Sequence, residues 1–289
     1  MKVSIVTPSF NQGVFIERTL QSVLSQDWDA IEYVVFDGGS SDSTIDVLRK
    51  YDGRIRWVSE RDKGQGDAVN KGIQATDGEV IGWLNSDDIY YPGAVRLAVE
   101  CLVQHPEAEM VYGMADHIDL DDRPYEAYPT EPWNFDRLQQ TCFICQPALF
   151  FRRSVIEKHG LLDVSLRYCM DYEYWLRVGA AGVRFHYLEK KLAGSRMYPE
   201  NKTMRDVTKV HAEINDMLSR RLGRVPDRWI TNYSGTLVNP RIDRARHPRR
   251  YIYALVLCTA LASLWWNWRI SPALRHMMFE WLASVSRRS

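Results

Sequence analysis

Val80-Ile81-Gly82-Trp83-Leu84-Asn85-Ser86-Asp87-Asp88 is an apolar run that stops abruptly at two adjacent carboxylates. Residues 80–84 predict a buried strand, which sets Asp87 and Asp88 just past its C-terminal end, the edge where open α/β sheets take their ligands. Two like charges side by side need a counter-charge. A hard divalent cation prefers carboxylate oxygens and also neutralises an incoming diphosphate, so the pair suits a metal-nucleotide site. The alternative is an Asx-rich turn that merely closes the strand, for which Asn, Ser and Asp are all favoured.

Working outward, residues 2–6 form a short apolar run ended by Thr7-Pro8-Ser9-Phe10-Asn11. Ile16, Leu20, Val23 and Leu24 then lie on one face of a helix, and residues 33–36 are a second strand closing on Asp37-Gly38-Gly39. A right-handed βαβ crossover makes these strands parallel, so residues 7–11, Asp37 and the Asp87-Asp88 pair share one rim. There Asp37 either accepts from a base N–H or ribose hydroxyl, or caps its own glycine turn. Residues 55–58 predict a third strand. The charged loop Glu60-Arg61-Asp62-Lys63-Gly64-Gln65-Gly66-Asp67 follows and leads into a helix over 68–75, whose N-terminus is suited to an anion. Lys71 on that helix either reaches a phosphate or is solvated.

The second constellation lies downstream, at Cys145-Gln146-Pro147 and at Met170-Asp171-Tyr172-Glu173-Tyr174-Trp175. Trp175, Leu176 and Val178 read as helix core, which leaves Asp171 at the helix N-terminus, where the macrodipole favours a carboxylate even without a chemical role. Between the two constellations, residues 116–122 read as an acidic solvated turn and residues 125–133 as an aromatic connector crossing the sheet.

Residues 3–12, the strand ending in Asp37-Gly38-Gly39-Ser40-Ser41-Asp42, the loop from Glu60 to Asp67 and the strand ending in Asp87-Asp88 together resemble the inverting glycosyltransferases of family 2. The resemblance implies a GT-A fold: α/β, Rossmann-like, a mixed and mostly parallel sheet with flanking helices. It implies a nucleotide-sugar donor, a UDP-sugar first among them, held by Thr7, Pro8, Ser9, Asn11, Asp37, Asp67, Lys71, Asp87 and Arg196. Asp37 would meet the base, Asp87 the ribose or sugar, Asp88 a divalent cation (Mn²⁺ or Mg²⁺), and Arg196 a phosphate. Asp171 would be the general base, with Glu173 the second candidate and Gln146 on the acceptor side. The chain departs from the pattern at Cys145-Gln146, where the family often has His-Gln, and at Arg196-Met197-Tyr198, where it often has Arg-x-His. The reaction implied is transfer to a hydroxyl of a glycan or lipid-linked acceptor, as in surface polysaccharide assembly. A noncatalytic nucleotide-sugar-binding subunit is the alternative.

The 289 residues carry no net charge, which argues against a nucleic-acid partner, but the balance is uneven. From Pro240 onward nine arginines face only Asp243 and Glu280, a net of +7, and the first 239 residues therefore carry −7. Residues 251–268 are uncharged and include Trp265, Trp266 and Trp268, and Ser271-Pro272 opens an amphipathic helix. The expected organisation is a catalytic domain over 1–222, a basic linker over 223–250, and C-terminal helices over 251–289. These helices are expected to contact the inner face of the cytoplasmic membrane as a peripheral or monotopic anchor, with a homodimer through the same apolar faces as the alternative. The five cysteines, an odd number read without a secretory signal, are expected to stay thiols in a reducing compartment.

Overall fold

The computed structural model describes residues 1–286. Its centre is a nine-stranded mixed sheet: β1 (Val3–Ser9), β2 (Ile31–Asp37), β3 (Arg56–Ser59), β4 (Val80–Trp83), β5 (Ile89–Tyr90), β6 (Met110–Ile118), β7 (Pro124–Ala127), β8 (Leu149–Arg152) and β9 (Phe185–Arg196). The spatial order is β3-β2-β1-β4-β8-β6-β9-β5, with β7 paired to β6. Strands β3, β2, β1 and β4 are mutually parallel, β8 runs against β4 and β6, and β9 is parallel to β6. Six strands therefore point one way and β5, β7 and β8 the other. The βαβ reading predicts the parallel pairing of β1 and β2, and a Rossmann-like α/β fold with a mixed, mostly parallel sheet is what the resemblance implies.

β1 and β4 are buried along their whole length because helices cover both faces of the sheet's centre. Helix Gln65–Gln74 lies so close to β1 that a Cβ on Gly72 would sit 2.2 Å from Val6 Cγ1, so only glycine allows this approach. That contact fixes where the preceding loop ends relative to the β1 and β4 rim. Helix Met170–Ala180 buries Trp175, Leu176 and Val178 as its spacing predicts.

The structure corrects four expectations. The acidic stretch 116–122 is a solvated turn only in its second half: β6 runs on to Ile118, and Asp116 is buried, accepting from Tyr91 Oη at 3.0 Å and paired with Lys191 at 2.8 Å. The connector 125–133 begins as an exposed edge strand, β7. The stretch 223–250 is no linker, because Trp229, Ile230, Ser234 and Val238 form the buried face of helix Asp227–Val238. Its arginines all fall outside that face, so their composition hides the helical period. Finally, the compact units divide at Pro199 rather than 222: residues 1–138 with 142–199 form one, and 139–141 with Glu200 onward form the other.

The second unit is helical: Val207–Leu222, Asp227–Val238, Pro248–Asn267 and Pro272–Ser286, besides the short Lys202–Arg205. Gly223 ends the first of these in the left-handed conformation (φ 68°), and Ser271 Oγ caps the last by accepting from Leu274 N at 3.0 Å. Asn267 ties the third helix to the turn before the second through paired bonds with Val225. No helix among the described residues is long and apolar enough to cross a membrane. The final residues of the expected 251–289 segment, 287–289, lie outside the described residues.

Candidate active site

Past the end of β4 the chain turns through Asn85, whose amide is fully used. Its Oδ1 accepts from Trp83 Nε1 (2.9 Å) and Gln65 Nε2 (2.8 Å), and its Nδ2 donates to Gln146 Oε1 (2.9 Å) and Asp88 Oδ2 (3.2 Å). Asp88 is 4% exposed and accepts the Arg196 backbone N–H at 2.8 Å on its other oxygen. Asp87, half-buried beside it, accepts from Tyr198 Oη at 3.0 Å. Burial pushes the Asp88 carboxyl up to about 8, the neighbouring Asp87 charge adding to it, and burial raises Asp87 as well. Among the described residues no Lys, Arg or His side chain forms an ion pair with either. The Arg196 charge offsets part of the upward shift, but burial and the paired carboxyls outweigh it and both groups hold their protons more tightly than free carboxyls.

The rim continues across the parallel strands. Ser9, Asp37 and Ser59 lie in register at the ends of β1, β2 and β3. Asp37 Oδ2 accepts from Gly39 N (3.0 Å), Ser40 N (2.8 Å) and Ser59 Oγ (2.7 Å), while Oδ1 accepts from Ser40 Oγ. The carboxylate therefore holds its own turn, and any further acceptor capacity lies on Oδ1. Ser9 Oγ is buried without a hydrogen-bond partner in the protein, an orphaned hydroxyl at the mouth of the rim. Asn11, in the left-handed conformation (φ 53°), latches the same turn by accepting from Ser41 N at 2.9 Å.

Asp171 is half-buried in the first turn of its helix, and Met170 beside it packs near Gly66 of helix Gln65–Gln74. Its charge, like that of Asp88, acts on Cys145: burial raises that thiol, and Asp88, Cys142 and Asp171 raise it further. Gln65, next to Gly66, donates to Asn85 of the β4 turn, so the helix that opens with Asp171 borders the element that braces that turn.

Several expected ligand residues do other work. Arg196 is fully buried and cannot meet a phosphate: Nε donates to Asp87 O (2.7 Å), Nη1 to Asp119 O (2.6 Å), Nη2 to Asp122, and the guanidinium lies 4.9 Å over the Phe15 ring. Glu173 is buried in an ion pair with Arg177 (3.1 Å), which removes it as a base or acceptor contact. Gln146 faces the β4 turn rather than an acceptor, donating to Trp83 O at 2.6 Å. Lys71 bridges Glu60 (2.8 Å) and Asp67 (3.4 Å), and Glu60 raises its pKa, so both Lys71 and Asp67 are engaged with neighbours. Thr7 is buried against Tyr33 Oη (3.1 Å), so only its main chain lines the rim, and Pro8 is buried with it.

The residue that sequence reasoning missed is Tyr198. Its hydroxyl donates to Asp87, receives Gln12 Nε2 at 3.4 Å, and its ring packs on Phe15 at 4.9 Å. It stands where the resembled pattern often has His, a signal available but visible only as a departure.

The charge pair predicts a stability cost. A carboxyl whose folded pKa is raised binds more protons folded than unfolded, so stability falls as pH climbs from about 4 to about 8. Asp87→Asn removes the neighbouring charge and keeps an acceptor for Tyr198. In chelator, its melting temperature should exceed wild type at pH 8 by on the order of 2–6 °C, with the gain gone near pH 4. An unchanged or lower value at pH 8 would contradict the charge strain.

The chain is similar to known proteins in sequence and in fold. An uncharacterized glycosyltransferase of Rickettsia typhi is 26% identical over 189 residues, 61% of this chain, and the match spans 58% of that relative's length. Staphylococcus aureus TarS (residues 1–349, solved with UDP-GlcNAc) has a TM-score of 0.62 at 16% identity, covering 91% of this chain and 82% of that one. A Pyrobaculum calidifontis mannosyltransferase solved with GDP-Man and Mn²⁺ has a TM-score of 0.57 at 16% identity, covering all of this chain and 76% of its own. The fold is that of the GT-A glycosyltransferases. Residues 4–160 match the model of glycosyl transferase family 2, more than half of the sequence, and the chain belongs to that family.

Proposed function

We propose that this chain transfers a sugar from a nucleotide-sugar, a UDP-sugar in the first instance, to a hydroxyl of a glycan or lipid-linked acceptor, with inversion at the anomeric carbon. The observation that carries the reading is the Asp87-Asp88 pair just past β4, which makes no ion pair with a cationic side chain among the described residues, with Asp171 opening the helix whose Met170 packs near Gly66. Ser9, Asn11 and Asp37 at the ends of β1 and β2 are suited to the nucleoside, the orphaned Ser9 hydroxyl supplying a donor or acceptor that the protein leaves unused. Tyr198, held between Gln12 and Asp87, closes the wall that Arg196 supports from inside.

Asp171 is the general base. It takes the proton of the acceptor hydroxyl as that oxygen attacks the anomeric carbon and the bond to the diphosphate breaks. One carboxylate and one displacement suffice, which is why inversion follows and no covalent sugar-enzyme bond is invoked. Two adjacent carboxylates without a cationic side-chain partner are a donor set that fits a hard divalent cation, Mn²⁺ or Mg²⁺, held by Asp88 with Asp87 directed to the ribose or sugar. When bound, such an ion neutralises the diphosphate. TarS solved with UDP-GlcNAc and the mannosyltransferase solved with GDP-Man and Mn²⁺ support a donor and a cation of these classes.

The helical unit supports a membrane-surface role on the cytoplasmic side. Tyr253, Leu257, Leu261 and Leu264 recur along helix Pro248–Asn267 and are 46–60% exposed, while Trp265 and Trp268 near its end are 75% and 89% exposed. Arg241, Arg244, Arg246, Arg249 and Arg250 precede this stripe, all exposed. An apolar face with indoles and a basic run is what an anionic leaflet attracts, and a lipid-linked acceptor would be found there.

With the donor that the wild type hydrolyses or transfers, Asp171→Asn should lower kcat about 10²–10⁴-fold while donor affinity changes less than about threefold. Retained turnover would remove Asp171 as base; a donor bound by wild type but never turned over, even with membrane lipid extract as acceptor, would favour the binding-subunit reading. Full-length protein should co-sediment with anionic but not neutral vesicles, release as salt rises, and lose binding in Leu257→Asp/Leu261→Asp. A dimer by light scattering with no vesicle binding would assign the stripe to self-association instead.

A further inference from the structure

The sheet has a second edge, and it too gathers ligating side chains. β6 and β9 begin there, whereas Asp37 ends β2 and Asp88 follows the end of β4, so the two clusters lie at opposite ends of strands that run the same way. Cys101 sits in the last turn of helix Ala94–Gln104, and His105 is that helix's C-cap, four residues on and therefore on the same face. Pro106 follows and disfavours helical backbone at His105, which adopts φ −120°, ψ 74°. His186 arrives from β9, where it pairs with Val111 of β6. The sulfur and one ring nitrogen from each histidine all lie within 4.8 Å of one another. The two imidazoles are stacked, centroids 4.0 Å apart and planes 25° from parallel.

The chemistry of this cluster is that of a soft-ligand site. Cys101 is buried and both histidines are partly exposed, so a solute can reach them. Together they offer one sulfur and two imidazole nitrogens as ligand atoms. Glu107 Oε1 lies 3.4 Å from His105 Nδ1, the relation in which an outer carboxylate orients a metal-bound imidazole. A tetrahedral zinc site spaces its nitrogen and sulfur ligands about 3.3–3.6 Å apart, so binding draws these three atoms closer and turns the two rings out of their stack until both lone pairs meet the ion.

We propose that Cys101, His105 and His186 bind one zinc-class divalent cation, with water in the fourth position and Glu107 orienting His105. Sulfur and imidazole select such a cation over the magnesium-like ions that suit Asp88. The ion joins the C-terminal end of helix Ala94–Gln104 to the start of β9, the strand that ends in Arg196. The inference is independent of the transfer reaction.

The test uses untagged, metal-stripped full-length protein titrated with Co²⁺. One equivalent should produce a thiolate-to-cobalt charge-transfer band and tetrahedral d–d bands, both abolished by stoichiometric Zn²⁺. Asp88→Asn should leave these spectra intact, whereas His186→Ala should lose them. His105→Ala, at a partly exposed position that tolerates truncation, should weaken Zn²⁺ at least about tenfold in competition with a chromophoric chelator. Absence of a thiolate band, or Zn²⁺ affinity and stoichiometry unchanged in both histidine variants, would overturn the site.

Discussion

The rest of the catalytic unit depends on holding two ionisable carboxyls side by side in a place where water cannot fully solvate them. Burial and mutual repulsion both raise the proton affinity of Asp88. The fold answers this with dipoles rather than charges. A backbone N–H from Arg196 and the amide of Asn85 each meet one oxygen of Asp88, and Tyr198 meets Asp87. These bonds position the pair without neutralising it. A direct Arg or Lys partner would have stabilised the protein at the cost of the negative field that a cation requires.

Arg196 shows how the same end is served indirectly. Its backbone reaches Asp88 while its guanidinium turns away to the Asp87 carbonyl, Asp119 and Asp122. The last residue of β9 thereby fastens the β4 turn to the loop that follows β6. Gln146 and Gln65 brace Asn85 from two further elements, so the geometry of one short turn is set by strands and loops far apart in sequence. Loss of any brace would free the Asn85 amide and loosen the turn that holds Asp88.

Much of this was legible before the structure. The strands that carry Ser9 and Asp37, and the strand that leads to Asp88, are short, apolar and bounded by turn residues, so period and punctuation agree. Helices Ile16–Leu24 and Met170–Ala180 follow from apolar spacing. β8 and β9 escaped because Leu149–Arg152 is too brief to show a period and Phe185–Arg196 mixes Glu189, Lys190 and Lys191 into its middle. Helix Asp227–Val238 was hidden by the basic composition around it. At the site, residue type singles out candidate carboxylates, but it does not reveal whether a side chain faces the rim or the core. Arg196, Glu173 and Gln146 were each chemically apt and each proved to be internal support. That distinction rests on burial and partner geometry, which depend on β9 and on helix packing that no local pattern encodes.

The proposed cation dependence of the Asp87-Asp88 nucleotide site is tested most directly by calorimetric titration of the full-length protein with UDP and with GDP, in chelator and then in Mn²⁺. One nucleotide should gain at least about tenfold in affinity with Mn²⁺, about 1.4 kcal/mol, and Asp88→Asn should abolish the gain. Nucleotide binding of equal strength in chelator and in Mn²⁺, or a gain that survives Asp88→Asn, would contradict it.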